Sequence, residues 1–293
     1  MAVRQHSFSG IPWYGHEKDE VIKTIERSFN HSVGPKILPG ESKNNKLLSN
    51  LLGIVSPHAG YSCSGPHASH GYLELSKHKD IDSVIILGTN HTGMGSPTSL
   101  FPKGDWETPL GSLKIDEDLH DLFVNLIADH KNEIGFEVEP YAHTEEHSID
   151  NQLPFLQYTI QNEFTILPIA MGDHSLRTCE IVANVISKIF STSEKKIVII
   201  ASSDFTHYLS PAEAEKRDKP VLENLLHFNL NEAVKAKKSL NASICGFGPV
   251  VTLFATAINL NMKSKKLLVY GHSGETCGDL SRVVAYSSII IGS

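Results

Sequence analysis

Six short aliphatic runs, separated by segments of helix length, constrain the fold of this chain more than any other feature. Runs of roughly four to eight such residues, bounded by Gly, Pro or Asn, are buried strands more often than helices. The runs read LLGIVS, SVIILG, FTILPIAMG, KKIVIIAS, KKLLVYG and SRVVAYSSIIIG. Helices are predicted at 65–77, 116–130, 145–160, 175–190, 211–236 and 247–260. This alternation predicts an α/β fold whose central sheet, mainly parallel or mixed, carries helices on both faces.

Two further segments with a clear pattern lie outside this alternation. Residues 15–30 are predicted to form an amphipathic helix, because apolar residues recur at helical spacing from Val21 to Phe29. Residues 100–115 are typical of a β-hairpin arm, and such an arm can pair across a two-fold axis, so a homodimer is one expectation. Since no repeat or long linker interrupts the 293 residues, we expect one domain spanning 1–293.

Composition and charge narrow the function classes. Lys and Arg number 26 and Asp and Glu 33, so the net charge of −7 gives no overall attraction for nucleic acid or anionic membranes. The N-terminus shows no apolar signal region, and no apolar stretch approaches the roughly 18 residues of a membrane span. Four cysteines without a C-x-x-C pair indicate a reducing compartment. We therefore expect a cytoplasmic protein that binds neither nucleic acid nor membranes.

Polar residues of the kind that bind metals follow most of the predicted strands. The chain has 16 histidines, and those at strand ends, with one aspartate, are His58, His91, His174, Asp204, His207 and His272. In open α/β sheets the ligand site lies beyond the carboxyl ends of the strands. Neutral imidazole is the commonest metal ligand, so several imidazoles at one sheet edge suit a metal ion. A single histidine there is more often an ordinary loop residue, but the set predicts a metal site.

These strand-end residues are not equivalent as ligands. His58 and His91 are the strongest pair, because each follows an aliphatic run closely and is flanked by small residues that allow a metal or substrate to approach. Asp204 and His207, in SSDFTHY, form a second cluster whose carboxylate can orient an imidazole or bind a metal itself. His174 is weaker, since GDHS is also an ordinary turn and N-cap sequence.

Cys245 is the one cysteine with a functional context. It precedes the predicted helix 247–260, and a helix N-terminus stabilises a thiolate, so a metal-bound or reactive thiolate is one interpretation. The other is a small buried apolar residue, which is what a free cysteine often is. Cys63, Cys179 and Cys277 lack such a context and are interpreted in that second way.

Motifs of three other protein classes, namely zinc peptidases, serine hydrolases and nucleotide-binding proteins, can be compared with this pattern. The stretch HTEEH at 143–147 matches the H-x-x-E-H arrangement of some zinc peptidases. However, Pro140 and Thr144 predict that a helix begins near residue 144, which leaves His143 outside it. The string GHSG at 271–274 lacks the spacing of a serine nucleophile elbow, and neither a Walker A nor a G-x-G-x-x-G motif occurs. Zinc peptidase is therefore a weak alternative, and serine hydrolase or nucleotide binding has little support.

Six motifs, taken in order, resemble the Memo family. They are PHAGYSCSG, ILGTNHTG, EEHSIDNQLPFLQY, FTILPIAMG, SSDFTHY and ICGFGP, with a weaker similarity in SGIPWYG at 9–15. That family is related in fold to the class III extradiol ring-cleavage dioxygenases. The resemblance implies that His58, His91 and Cys245 match the positions that bind iron or copper. It also implies that three other polar residues line the pocket, namely His147, Asp204 and His207.

The resemblance and the strand-end pattern together lead to one main hypothesis. We expect a non-haem metal protein with oxidoreductase or dioxygenase-like chemistry, in which ferrous iron is the first expectation and copper the second. His147 and His207 are expected to donate or accept protons, while Asp204 fixes the tautomer of a neighbouring imidazole. A thiolate in the third ligand position is softer than the carboxylate of ring-cleavage enzymes, so ring cleavage itself does not follow.

Two other classes of function stay open at this point. The same pocket can serve a metal-handling or peptide-binding adaptor without turnover, as eukaryotic members of the family are described. A metal-dependent hydrolase is the third hypothesis. The ligand is expected to be a small molecule or a peptide, and the sequence does not identify it.

Overall fold

The computed structural model describes residues 2–4, 13–41 and 47–293. The strands are β1 (Ala2–Arg4), β2 (Leu51–Ser56), β3 (Ser83–Thr89), β4 (Thr98–Leu100), β5 (Gly104–Thr108), β6 (Gly111–Lys114), β7 (Phe136–Val138), β8 (Thr165–Met171), β9 (Ile197–Ser202), β10 (His207–Leu209), β11 (Ser264–His272) and β12 (Val283–Gly292). The helices are α1 (Lys18–Asn30), α2 (Tyr61–Leu75), α3 (Glu117–Ile127), α4 (Tyr141–Thr144), α5 (Leu153–Thr159), α6 (Leu176–Thr192), α7 (Pro211–Leu226), α8 (Leu230–Ser239) and α9 (Phe247–Asn259). All six predicted strands are present, which confirms the α/β pattern.

The large sheet is mixed, with a parallel centre. Its strand order is β10-β12-β2-β9-β3-β8-β4-β7, and β11 also pairs with β12. The central strands β2, β9, β3 and β8 run parallel to one another, whereas β12 and β4 flank them in the antiparallel direction. The carboxyl ends of the central strands therefore meet at one edge of the sheet, where the sequence predicts the site.

Both faces of this sheet are covered, which explains why the strand sequences are apolar without interruption. Alternate residues point to opposite faces, so Ile85 and Ile199 join the core on the side of α6 and α9. Val84 and Ile200 join the core on the other side, which includes buried residues of α1, α2 and α5. Helices on both faces confirm the predicted layer arrangement.

The arm at 100–115 forms the predicted hairpin, but part of it is paired within the chain. Strands β5 and β6 are antiparallel, and β1 adds to β5 in the parallel direction, giving a small sheet of order β1-β5-β6. Trp106 on β5 is fully buried. Pairing across a two-fold axis can therefore use only the outer edge of β6, and a homodimer stays a prediction.

Two predicted helices differ from the structure. The segment 145–160 holds a one-turn 3₁₀ helix, Asp150–Gln152, and the short α5, because Glu146 binds backbone N–H groups and so competes with a helix over 145–149. The segment 211–236 is divided into α7 and α8, and the break falls at Phe228, whose φ of 59° is left-handed. Helical spacing continues across this break, so sequence periodicity gave no sign of it.

The interpretation of the cysteines is partly wrong. Cys179 is a buried free cysteine, as expected. Cys63 and Cys277 instead form a disulfide with their Cα atoms 5.4 Å apart, and Cys277 is exposed. A bond between residues separated by 214 positions cannot be deduced from spacing alone. The bond contradicts the expectation of four reduced cysteines, on which the reducing compartment was predicted, and a cytoplasmic location stays a prediction.

Across the part of the chain that the structure describes, no helix has both the length and the apolar character needed to cross a membrane.

Candidate metal centre

Three imidazoles converge at the carboxyl edge of the parallel strands. His58 follows β2, His91 follows β3, and His147 lies between α4 and the 3₁₀ helix. One ring nitrogen from each lies within 4.8 Å of the others, which is close enough for all three to reach a common ion. The sequence predicts His58 and His91 as ligands, whereas it places His147 among the residues that line the pocket.

Hydrogen bonds fix the tautomer of His58. The hydroxyl of Ser202 donates its only proton to the carbonyl oxygen of Ser148 at 2.6 Å. The same oxygen must therefore accept from Nδ1–H of His58, at 2.8 Å. This leaves the lone pair of Nε2 facing Cys245, whose Sγ is 3.1 Å away. Burial, and then the nearby His147, lower the pKa of His58 well below its usual value, which keeps the ring neutral and able to bind a cation.

Glu146 fixes the tautomer of His91, as Ser202 does for His58. Its Oε1 accepts Nδ1–H of His91 at 2.9 Å, and its Oε2 accepts the backbone N–H of His91 at 2.6 Å. Burial raises the pKa of this carboxyl group, but hydrogen bonding and charge from His91 outweigh it and bring the pKa to about 2. Glu146 is therefore a carboxylate that directs Nε2 of His91 away from itself, as carboxylates behind metal-binding histidines do.

His147 is held by stacking. Its ring lies 4.3 Å from the ring of Trp13, with an angle of 4° between the planes, and 4.7 Å from the ring of His91. Burial lowers the pKa of His147 to about 4. A neutral imidazole in this position can act as a ligand or accept a proton at neutral pH.

Cys245 differs from the sequence expectation in its acidity. Burial raises the pKa of its thiol well above the usual value, with the charge of Asp204 as the second cause, although nearby backbone N–H groups favour the thiolate. The helix N-terminus therefore does not activate this cysteine on its own. A cation bound beside Sγ would supply the missing stabilisation, because metal coordination deprotonates a thiol.

Asp204 and His207 lie beside the same centre, but Asp204 has different partners from those expected. Its Oδ1 accepts the backbone N–H groups of His58 at 2.8 Å and Ala59 at 3.4 Å. Tautomers are instead fixed by Ser202 and Glu146, as described above. Nδ1–H of His207 donates to the carbonyl oxygen of Ser243 at 2.9 Å, so Nε2 is the ring nitrogen that this bond leaves available.

The remaining candidates do not join the cluster. Nε2 of His174 binds the carbonyl oxygen of Met171 at 3.0 Å. His272 ends β11 and lies beside Glu275, whose Oε2 accepts its backbone N–H at 2.8 Å. His143 is buried in α4 against Ser99 and Phe101, so the H-x-x-E-H arrangement does not form a zinc site.

Sequence reasoning missed the residues that orient the imidazoles. Glu146 and Ser148 fall in the EEHSID motif, and Ser202 in the SSDFTHY motif, but nothing in a single sequence shows that they face His91 or His58. Trp13 belongs to SGIPWYG, of which residues 9–12 lie outside the described residues. These contacts join segments far apart in the chain, so only the fold reveals them.

The fold and this site define a mixed α/β protein with a histidine-rich centre at the carboxyl edge of its sheet. The family model described as Memo-like protein matches residues 4–290. The chain therefore belongs to the Memo family, as its motifs imply.

Relatives and a solved structure agree with this assignment. A MEMO1 family protein of Methanocaldococcus jannaschii is 39% identical over 295 residues, covering 99% of both chains. A MEMO1 family protein of Desulfurococcus amylolyticus is 39% identical over 277 residues, covering 94% of this chain and 95% of the relative. The crystal structure of an uncharacterized protein of Escherichia coli K12 matches 83% of this chain and 100% of its own, with a TM-score of 0.55 and 12% identity. At that identity, the likeness concerns the fold alone.

Proposed function

We propose that this chain is a cytoplasmic protein that binds a non-haem metal and carries out oxidoreductase, dioxygenase-like chemistry. Ferrous iron is the first expected metal and copper the second. The convergence of His58, His91 and His147 within 4.8 Å carries this proposal. The thiol of Cys245, 3.1 Å from Nε2 of His58, adds a fourth donor atom.

The donor atoms present suit such a metal. Imidazole binds iron, copper and zinc, and a thiolate shifts the preference towards softer ions such as Cu(I). His58, His91 and Cys245 are the proposed ligands, and His147, with a ring nitrogen within 4.8 Å of those of His58 and His91, is the proposed proton acceptor beside them. Ser202 and Glu146 hold the two imidazoles in the tautomers that binding requires.

A bound metal would supply the redox chemistry, and the surrounding residues would handle protons. His147 is neutral at neutral pH, because burial lowers its pKa to about 4, so it can accept a proton from a ligand. His207 is the second proposed proton donor or acceptor and would act through Nε2, since its Nδ1–H donates to the carbonyl oxygen of Ser243. Asp204 keeps the backbone of His58 in place through its two N–H bonds.

Metal content of the purified protein tests the proposal. Wild type and the variants His58→Ala, His91→Ala and Cys245→Ala are prepared without oxygen, and metals are measured per chain by element. We expect close to one iron or copper per wild-type chain, and loss of it in each variant while circular dichroism stays unchanged. His227→Ala, at an exposed position on the end of α7, should keep its metal. Metal contents that are equal in all five proteins would contradict the proposal.

Ligand binding separates oxidoreductase chemistry from the alternatives. A ferrous-loaded oxygenase should bind nitric oxide at an open coordination position, which electron paramagnetic resonance detects. Loaded protein that binds metal but no exogenous ligand, and that loses its metal to chelators, would instead be a metal-handling adaptor. A hydrolase that uses the H-x-x-E-H motif requires His143, so a metal content unchanged in His143→Ala would count against that reading.

A further inference from the structure

The segment between β11 and β12 lies on the surface and is tied down by a disulfide. We call this segment, residues 273–282, the strap. None of its residues belongs to the buried core, and residues 277–282 are all exposed. A segment without buried apolar contacts opens at a low cost in free energy. The position of the strap therefore depends on the bonds that fasten it to the rest of the molecule.

Bonds from three successive residues of the strap reach α2. The disulfide joins Cys277 to Cys63, which lies in the first turn of α2. Oγ1 of Thr276 donates to the carbonyl oxygen of Cys63 at 2.7 Å. Oε2 of Glu275 lies 3.1 Å from Nε2 of His67, one turn further along the helix. Water can replace a hydrogen bond at the surface with little net change in free energy, so the covalent bond is the strongest of these ties.

The end of the strap lies beside the loop that carries His207. The guanidinium of Arg282 is 5.4 Å from the ring centroid of Tyr208, and the rings of Tyr208 and His207 are 5.6 Å apart. Strand β10, which starts at His207, pairs with the beginning of β12, and β12 follows the strap directly. A change in the strap therefore reaches a residue beside the candidate centre.

The other partner of the disulfide also lies on a segment that reaches the centre. Helix α2 begins three residues after His58. The N–H group of Tyr61, its first residue, donates to the carbonyl oxygen of Trp13 at 2.7 Å, and the ring of Trp13 stacks on that of His147. The disulfide thus links two segments that both contact residues of the centre.

The two sulfur atoms of the disulfide are not equivalent. Cys277 is exposed, whereas Cys63 is half-buried, so a reductant reaches Sγ of Cys277 more easily. Attack at Cys277 makes Cys63 the leaving group. A helix N-terminus stabilises a thiolate, and a better stabilised thiolate leaves faster. Exposure and leaving group therefore both favour opening of the bond at Cys277.

We propose that the Cys63–Cys277 disulfide is a redox-sensitive fastening, which a dithiol opens by attack at Cys277 and which then releases the strap from α2. The release loosens the neighbouring strand β10, and with it His207. This inference goes beyond the proposed function, because it needs no bound metal.

The step is an ordinary thiol–disulfide exchange. One thiolate of the dithiol attacks Sγ of Cys277, the bond between the two Sγ atoms breaks, and Cys63 leaves as a thiolate that takes up a proton. The second thiol of the reductant then attacks the mixed disulfide, which frees Cys277 as a thiol and closes a disulfide in the reductant. The protein gains two electrons and two protons, and the dithiol loses them.

Hydrogen–deuterium exchange measured by mass spectrometry tests this inference. The purified protein is compared before and after treatment with the dithiol dithiothreitol, without denaturant. We expect exchange in the strap to become at least about tenfold faster on reduction, exchange in β10 to rise by less, and exchange in β3 to stay unchanged. The double variant Cys63→Ser/Cys277→Ser should show the reduced pattern with and without dithiothreitol. Cys179→Ser, which removes a buried free cysteine, should respond like wild type.

A second measurement locates the point of attack. Wild type is treated briefly with the monothiol glutathione, quenched with acid and digested, and we expect the mixed disulfide on Cys277. Glutathione on Cys63 instead overturns the assigned point of attack.

Other results would overturn the inference as a whole. They are a disulfide that dithiothreitol opens only in urea, reduction that leaves exchange in the strap or in β10 unchanged, and faster exchange throughout the chain. Each result is obtained without a bound metal, so a failure of the proposed function is seen separately, in the metal content.

Discussion

At the scale of single residues, the candidate centre depends on groups that orient its imidazoles. Ser202 and Glu146 each bind the Nδ1 of one imidazole and so determine which nitrogen faces the centre. His58 and His91 are recognisable from sequence because they follow aliphatic runs. Their partners are not, because a serine or a glutamate has no sequence pattern that reveals an interaction with a distant histidine.

Glu146 should control metal affinity without being a ligand. Glu146→Gln removes the negative charge and one of the acceptors for His91, so we expect metal affinity to fall about 10- to 100-fold with the fold retained. Competition with a chelator of known affinity measures this. Glu145→Gln makes the same chemical change at the adjacent, exposed position and should have no effect. Equal affinities in the two variants would remove Glu146 from this role.

His143 should make the protein less stable in acid. Burial is the largest cause that lowers its pKa to about 4, whereas the unfolded chain takes up the proton near pH 6.5. Protons therefore favour unfolding between these values, and stability is lost as the pH falls from about 6.5 to about 4. The expected loss from this residue is about 3 kcal/mol, since each pKa unit is worth about 1.4 kcal/mol.

Urea unfolding of His143→Gln isolates this effect from that of the other buried imidazoles. The amide can keep a hydrogen bond to Ser99, which lies 3.1 Å from Nε2 of His143, but it does not titrate. Between neutral pH and about pH 4, the free energy of unfolding should fall by about 3 kcal/mol more in wild type than in the variant. Parallel curves over that range would show that His143 is not held neutral.

At the scale of elements, strands were predicted more accurately than helices. Strand β2 has the bounds of its aliphatic run, because burial on both faces requires an apolar residue at every position. The segment after α4 was predicted as a helix because its apolar residues have helical spacing. There, side-chain hydrogen bonds from Glu146 and Ser148 fix an irregular path that brings His147 to the centre.

A buried ion pair between Arg4 of strand β1 and Asp150 should contribute to the stability of the protein. Nη1 of Arg4 lies 2.7 Å from Oδ1 of Asp150, and both side chains are about 3% exposed. Arg4→Met removes the guanidinium from this buried pair, so we expect the free energy of unfolding to fall by about 3–5 kcal/mol. Lys103→Met breaks the exposed pair with Asp121, also at 2.7 Å, and should lower the free energy of unfolding far less than Arg4→Met does. Similar losses in denaturant unfolding of the two variants would contradict this.

At the scale of the whole molecule, two long-range connections define the site region. The parallel strands β2, β3 and β9 bring His58, His91 and Asp204 to one edge of the sheet. The disulfide between Cys63 and Cys277 then links the start of α2 to the segment between β11 and β12. Because α2 begins three residues after His58, this bond closes the chain near the centre.

Reduction of this disulfide should destabilise the protein. A bond that closes a long loop restricts the unfolded chain, and we expect its loss to lower the free energy of unfolding by about 2–4 kcal/mol. Dithiothreitol should bring wild type to the stability of Cys277→Ser, and it should leave that variant unchanged. If the reductant has no effect on wild-type unfolding, the two cysteines are not bonded in the protein.

The sequence by itself determined the α/β fold, the six strands, the family and the strand-end histidines. These depend on local patterns, since buried parallel strands must be apolar and residues at their ends must face one edge of the sheet. The tertiary structure alone decided the disulfide, the division of α7 from α8, and the partners of the centre: Ser202, Glu146 and Trp13. Each of these contacts depends on distance in space between segments remote in sequence, and no local pattern in one chain encodes that distance.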